Sequence, residues 1–266
     1  MLKKFAVSII LIICLACCSS SNNNQSLNKN ADIKNPDEIY VIAKQYFDNK
    51  NYELSYEEFT KLKKLYPLSN EAIQAEIMIG FMSYLKMDYN SSILQFKKFT
   101  VKYPAHKDLD YVYYMIAMCN YEQITHQGLD GSFNETALSN FNLVINRFPN
   151  SKYAKDSRQK IILVKSNQAA KHLDIGRFYL KQKKYTAALN RFKIIIEDFS
   201  VTKFVPEALY RTVEAYHHMG MNEESIKVAS VLGHNYPNSK WYEYSYNLIK
   251  DIEKKENLFS KLPLFN

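Results

Sequence analysis

Cys17 and Cys18 are the side chains in this sequence best placed for covalent chemistry. They follow an unbroken apolar and small-residue run, Phe5 to Ala16, which is preceded by Met1-Leu2-Lys3-Lys4. A short basic start and an apolar stretch shorter than the roughly 20 residues of a membrane span make a secretion leader. In Leu15-Ala16-Cys17-Cys18-Ser19 a cysteine stands where a lipobox places the thiol that takes a diacylglyceryl group before the leader is cut. Cys18 has the favoured Leu15 three residues upstream, but Cys17 stands where Gly, Ala or Ser is usual. Cys17 has Ala16 before it, but Cys14 in place of the leucine. Cys18 is the preferred acceptor and Cys17 the alternative. Either gives an anchored chain, since several acyl chains hold where one would not. An uncleaved anchor helix is the competing reading of the same run.

Other reactive constellations are scarce. There is no Gly-x-Ser-x-Gly, no phosphate-binding glycine loop and no His-Glu-x-x-His. His217 and His218 are sequence neighbours, so a helix points them to different sides and they make a poor metal pair. Cys119 is the one cysteine beyond the lipobox; it falls in a helical segment and is expected as a small buried apolar residue. The Asn134-Glu135-Thr136 sequon carries no meaning in a bacterium without the usual glycosylation machinery. The expectation is a protein without enzymatic activity, cofactor or metal.

Such a protein acts through its surfaces, and the composition says which elements build them. Of 266 residues, 47% are hydrophobic and 14% aromatic, with 21 tyrosines, but only 6 glycines and 7 prolines. An all-β domain needs more turn residues than that, so helices joined by short connections are expected. The formal charge is +8; without Lys3 and Lys4 it is 33 basic against 27 acidic residues, or +6. In a secreted chain this points to anionic headgroups or an acidic protein surface, not to nucleic acid. Residues 18–36 read as a polar tether unable to bury enough apolar surface to order itself. Pro36-Asp37-Glu38 then opens a helix.

From there the sequence repeats. Tyr66-Pro67-Leu68-Ser69, Tyr103-Pro104-Ala105-His106, Phe148-Pro149-Asn150-Ser151, Phe199-Ser200-Val201-Thr202 and Tyr236-Pro237-Asn238-Ser239 each place an aromatic, a turn and an N-cap candidate before a new helix. The leading aromatics lie 37, 45, 51 and 37 residues apart. Within the units, small or apolar residues recur at fixed offsets: Ala43 and Ser55, Gly80 and Ser92, Ala117 and Ala137, Gly176 and Ala188, Val213 and Ser225. Phe59, Phe96, Phe141 and Phe192 follow in the second helices. This is the tetratricopeptide (TPR) pattern, a helix pair of about 34 residues. The fold expected is all-α: a TPR-like helical-hairpin solenoid over 37–258, with about five repeats and a final helix from Trp241 to about Glu256 as cap. Residues 1–17 are the leader and 259–266 a loose tail. Units three and four are long, with a glycine-containing surface loop, His126 to Phe133, inside unit three.

First helices of a TPR array line its inner face. Here they offer Tyr40, Lys44 and Phe47; Ile77, Phe81 and Tyr84; and Tyr111, Tyr114, Met118 and Tyr121. Aromatics in a groove suit an extended peptide carrying aromatic side chains. Packing between helices is the competing role for each ring singly.

Three stretches resemble the BamD family, the TPR lipoproteins of the outer-membrane β-barrel assembly machine. Tyr103-Pro104 with His106-Lys107-Asp108-Leu109-Asp110-Tyr111-Val112-Tyr113-Tyr114-Met115 looks like that family's H-P-x-x-D-Y-V-x-Y-M. Phe148-Pro149-Asn150-Ser151-Lys152-Tyr153-Ala154-Lys155-Asp156-Ser157 is similar to Y-P-N-S-x-Y-x-x-D-A. Asp174-Ile175-Gly176-Arg177-Phe178-Tyr179 through Ala188-Leu189-Asn190-Arg191-Phe192 resembles V-A-x-Y-Y and A-x-x-N-R. The likeness covers nearly all of 37–258 plus the lipobox. It implies a chain on the periplasmic face of the outer membrane, anchored in its inner leaflet. It implies a C-terminal half bound to a POTRA domain of BamA, with other Bam subunits nearby, and N-terminal repeats that receive unfolded outer-membrane proteins. Lys155, Lys160 and Arg177 are then the expected BamA contacts, and Tyr40, Lys44, Phe47, Phe81, Tyr84, Tyr111 and Tyr121 the expected substrate groove. Lys160 stands where the family usually has arginine, and it lacks the planar fork for a bidentate carboxylate contact. A periplasmic TPR adaptor coordinating envelope constriction with peptidoglycan synthesis is the second reading. It shares the Tyr-Pro-Asn-Ser turns, but such adaptors usually lack a lipobox and begin with a coiled coil. A lipoprotein enzyme is the third.

The lipobox reading yields a direct expectation. A Cys17→Ala, Cys18→Ala double variant takes up no palmitate analogue in metabolic labelling, whereas Cys18→Ala alone keeps label only if Cys17 substitutes. Undiminished labelling of the double variant would refute acylation at this site.

Overall fold

The computed structural model describes residues 34–126 and 132–259. They form eleven helices, with no strand among the described residues. In chain order these are α1 (Pro36–Asp48), α2 (Tyr52–Leu65), α3 (Asn70–Leu85), α4 (Tyr89–Lys102), α5 (Leu109–His126), α6 (Ser132–Arg147), α7 (Lys152–Lys181), α8 (Tyr185–Asp198), α9 (Val205–His218), α10 (Asn222–Asn235) and α11 (Lys240–Phe259). The expected TPR-like solenoid is present: five hairpins and a terminal helix. The first helix starts at Pro36, one residue before the expected boundary, and the last runs three residues beyond Glu256. The leader, most of the tether, residues 127–131 of the expected loop and residues 260–266 lie outside the described residues.

The sequence punctuation works as hydrogen-bond chemistry. Ser69 and Ser151 accept from the Ala72 and Tyr153 backbone N–H at 3.0 and 3.1 Å, and Ser239 accepts from Trp241 at 3.2 Å. Each satisfies one of the orphan donors at a helix start. At α5 the corresponding residue is His106, whose Nδ1 accepts from the Asp108 N–H at 3.2 Å. Within hairpins one, two and four the reversal passes through Lys50, Met87 and Lys183 at φ of 63°, 60° and 57°. The fifth hairpin has glycine there, Gly220 at 74°.

The seam of each hairpin is built from complementary volumes. Phe59, Phe96, Phe141 and Phe192 are all fully buried, each contributing roughly 1.5–3 kcal/mol of burial. They fit because the facing first helix narrows. A Cβ on Gly80 would lie 2.8 Å from the Phe96 ring, and one on Gly176 only 2.4 Å from Phe192 Cε1. In the fifth hairpin the sizes trade places: Val213 holds the first-helix position and Ala229 the second-helix position, both buried. A buried serine pins three of the seams: Ser55, Ser92 and Ser225 donate to the Ala43, Gly80 and Val213 carbonyls at 2.8, 2.8 and 3.1 Å. Cys119, buried as expected, donates its thiol to Ser92 Oγ at 3.3 Å, and burial pushes that thiol up to about 11.

The long fourth unit is a long helix. The seam residue lies 14 positions after the turn aromatic in unit two (Gly80 − Tyr66), but 28 after it in unit four (Gly176 − Phe148). The added 14 residues all fall within unbroken α7. At 3.6 residues per turn they make about 3.9 turns, so both halves of α7 present nearly the same face. The first half packs against α5 and α6, the second against α8 and α9.

First helices touch one another in series: α1 with α3, α3 with α5, α5 with α7, α7 with α9, and α9 with α11. Second helices make no such contacts among the described residues. The first helices therefore follow the inside of the curve, and their free faces line its groove.

Gly176→Val tests the seam. The added branch overpacks against Phe192 and is expected to cost about 1–3 kcal/mol. Roughly 2–4 °C of melting temperature goes with each kcal/mol in a chain of this size. Phe192→Leu in the same chain should recover part of the loss. Thermal melting followed by circular dichroism that shows no change for Gly176→Val refutes the packing described.

Candidate functional site

Where α1, α3, α5 and the start of α7 converge, the inner face holds a cavity of ≈ 560 Å³, within the 300–1,000 Å³ usual for ligand pockets. Its walls include Tyr40, Lys44 and Phe47 from α1, Phe81 from α3, Tyr111 from α5 and Tyr153 from α7. Five of the seven expected groove residues are thus brought together: Tyr40, Lys44, Phe47, Phe81 and Tyr111. A second cavity of ≈ 710 Å³ continues from it, sharing Tyr40, Gln74, Lys107 and Asp108.

The rings hold one another in place. Tyr40 packs edge-on against buried Phe59 at 5.5 Å between centroids. Phe47 leans on Phe81 at 6.0 Å, and Phe81 stacks on Tyr84 at 6.0 Å and 13°. Such pairs contribute about 0.5–1.5 kcal/mol beyond area burial, which helps hold the half-buried rings in one arrangement. Tyr84 does not line the cavity; it supports Phe81 from behind, its hydroxyl donating to Glu122 at 3.2 Å. Tyr111 and Tyr114 both pack on Tyr153, at 5.4 and 5.1 Å. The Tyr114 hydroxyl donates to Asp156 at 2.5 Å. Burial, aided for Tyr84 and Tyr114 by the adjacent carboxylates, pushes the Tyr84, Tyr111 and Tyr114 phenols well up, so all three stay neutral. Ile77 and Met118, expected on the inner face, are buried.

Tyr121 stands apart from the cavity. It packs edge-on against Phe141 at 6.1 Å, and the Lys160 ammonium lies 4.9 Å over its ring. One residue of the expected substrate groove therefore touches one of the expected partner contacts. Lys155 is exposed. Arg177 is engaged within the chain: its Nη2 and Nε reach Glu207 Oε1 at 2.5 and 2.9 Å, and its Nη1 reaches Asp174 at 3.1 Å. Glu207 is buried and also receives Arg211 Nε at 3.4 Å. Lys44 pairs with Asp48 at 3.0 Å.

The polar lining was not foreseen from sequence. Gln74, Lys107, Asp108, Asp110, Lys152 and Tyr153 all reach the cavity. Lys107 and Asp108 sit in the turn before α5, and Lys152 and Tyr153 open α7, so it is the curvature of the array that brings them beside α1. The available signal was the turn punctuation itself, which places Lys107 and Lys152 at neighbouring helix starts.

The rings, lysines and curved row of first helices define a TPR-class binding scaffold with a groove suited to an extended peptide. The comparisons with known proteins give its family. The family described as YfiO, outer membrane lipoprotein, matches residues 32–232. The outer membrane protein assembly factor BamD of Rickettsia prowazekii is 41% identical over 206 residues, 77% of this chain and 82% of the relative. BamD of Caulobacter vibrioides is 35% identical over 213 residues, 80% of this chain and 70% of the relative. The chain belongs to the YfiO/BamD family. Among solved structures, the TPR2AB-domain:pHSP90 complex of yeast Sti1 is a looser likeness, with a TM-score of 0.49 and 10% identity over 84% of this chain and 86% of that one.

Proposed function

We propose that this chain is a non-enzymatic scaffold for outer-membrane protein assembly, tethered to the periplasmic face of the outer membrane by acylation at Cys18, or at Cys17. In this reading the groove of repeats one to three takes an aromatic-bearing segment of an unfolded outer-membrane protein. The α7 surface carrying Lys155 and Lys160 meets a POTRA domain of BamA. The observation that carries the groove is the open cavity walled by Tyr40, Phe47, Phe81 and Tyr111. Family membership supports the assembly role, since the relatives carry that name. No helix of the described residues is long and apolar enough to cross a membrane, which fits attachment by lipid.

Arg177 belongs to this reading only as a brace. With both sides of its guanidinium bonded inside the chain, it shapes the α7–α9 surface more than it reaches outward. Exposed ion pairs at Lys155 and Lys160 contribute about 0–1 kcal/mol each and are screened within about 10 Å at 0.1 M salt. A handover scaffold needs such weak, reversible contacts.

The test pairs two variants with two ligands. Phe81→Ala with Tyr84→Ala removes a cavity wall and its support. It should weaken binding of a fluorescent peptide ending in phenylalanine by about tenfold, consistent with two lost aromatic contacts, and leave pull-down of BamA's periplasmic domains unchanged. Lys160→Glu should do the reverse. Peptide binding equal to wild type in the first variant would sink the groove assignment.

A further inference from the structure

The two most exposed large apolar side chains among the described residues stand on one edge of the solenoid. Leu68 is 93% exposed and Val101 82%. This is the edge where second helices end and first helices begin. Leu68 lies in the turn between α2 and α3, and Val101 in the last turn of α4. Leu65, the last residue of α2, is exposed as well. Lysines gather at the same edge. α2 carries its three acids within its first seven residues and its three lysines, Lys61, Lys63 and Lys64, within its last five. α4 has no acid and ends with Lys97, Lys98 and Lys102. Lys61 is held by Glu58 at 3.4 Å and Lys102 by Glu76 at 2.7 Å. Among the described residues, Lys64, Lys97 and Lys98 have no carboxylate within ion-pair distance.

Helix electrostatics favours cations at a helix C-terminus, but it gives no reason for exposed leucine and valine among them. The pattern also does not recur along the array. α6 ends in a single Arg147, which bonds to Tyr113 Oη at 2.7 Å. α8 ends in Ile196-Glu197-Asp198 and α10 in His234-Asn235. Val201 takes the place of Leu68 after α8 but follows those two acids. Lysines with exposed aliphatic side chains are therefore confined to units one and two, where the chain enters the fold. The Tyr66 hydroxyl donates to the Lys34 carbonyl at 3.0 Å, so entry is at this edge, sixteen residues on from Cys18. Of the acids here, Asp37 and Glu71 line the cavity on the groove side, and Glu38 is exposed in the first turn of α1.

We propose that this edge rests on anionic headgroups of the membrane that holds the anchor. Lys64, Lys97 and Lys98 meet the phosphates, and Leu65, Leu68 and Val101 dip between the headgroups. The inference rests on the lipid attachment in the proposed function and gives the tethered body an orientation. Basic and apolar side chains on one surface suit a membrane interface. The contact needs little affinity of its own, because the tether keeps the edge at high local concentration near the lipid. The first helices then run away from the membrane, and the cavity at the starts of α1, α3 and α5 lies beside the headgroups.

The experiment uses the full-length acylated chain reconstituted on vesicles whose phospholipids are brominated near the headgroup. Trp241→Phe removes the native tryptophan. Leu68→Trp then reports on this edge, and Met87→Trp reports on the opposite one. Circular dichroism melting checks that each variant is folded. On phosphatidylglycerol vesicles the bromine should quench Leu68→Trp strongly and Met87→Trp little. Quenching of Leu68→Trp should fall on phosphatidylcholine alone and in 1 M salt, where charges are screened within about 3 Å. Lys64→Gln, Lys97→Gln and Lys98→Gln should each lower the ratio of seated to free chain about fivefold. If the chain does not float with the vesicles, lipid attachment fails and the inference with it. If it floats but Leu68→Trp is quenched no more than Met87→Trp, the anchor stands and the seated edge is refuted. Quenching unchanged in the triple lysine variant would refute recognition of anionic headgroups. If Leu68→Trp is unquenched on vesicles but shielded when BamA's periplasmic domains are added, the occupant is a protein surface and the inference falls.

Discussion

The close approach of two helices within each hairpin is the constraint on which the rest of this molecule depends. In the first four hairpins it is met by a small residue or glycine on the first helix and a phenylalanine on the second, with a serine hydroxyl bonded across three of the five seams. Because the same pairing recurs, each hairpin presents its first helix at nearly the same angle to the next. Only then do the first helices touch in series and the second helices diverge. The groove is the empty side of that curve. Its rings are fixed by a seam they do not belong to.

Much of this is written in residue type and offset. Tyr66, Tyr103, Phe148, Phe199 and Tyr236 mark the reversals, and small or apolar residues 14 positions after Tyr66, Tyr103 and Phe199 mark seams, because helix capping and close packing are local demands. The aromatic lining was legible for the same reason, since the first-helix register follows from the seam. What could not be read is whatever depends on how far the array bends. Tyr121 falls on the groove face of its helix but lies under Lys160, because α7 crosses above it. Arg177 reads as an exposed cation, yet it is braced by Glu207 from a helix 30 residues on. Lys107 reaches the cavity from a turn and Lys152 from the first position of a helix, places where no periodicity betrays the direction of a side chain.

The two ends of the array differ in kind. The N-terminal half keeps its aromatics half-buried and open. In the C-terminal half, Arg177, Glu207, Arg211 and Glu214 form a bonded chain from α7 to α9, and Arg211 also lies 5.5 Å over the Trp241 ring of α11. Buried charge of this sort holds a geometry more than it adds stability. Lys250 of α11, exposed, occupies the seam position held by Gly80 in unit two.

Helix α7 has a mechanical consequence. Elsewhere neighbouring hairpins are joined by short turns, so adjacent units can tilt with little cost beyond their shared interface. Between units three and four the turn at 148–151 leads into a single helix of 30 residues, about 45 Å long. Its first turn carries Lys152 and Tyr153 in the groove, and its C-terminal half carries Arg177 in the ionic chain. A helix bends far less readily than a turn, so α7 joins its packing on α5 and α6 rigidly to its packing on α8 and α9. A small rotation of the groove wall is then carried as a lever arm to the far half, and a load applied there returns along the same member.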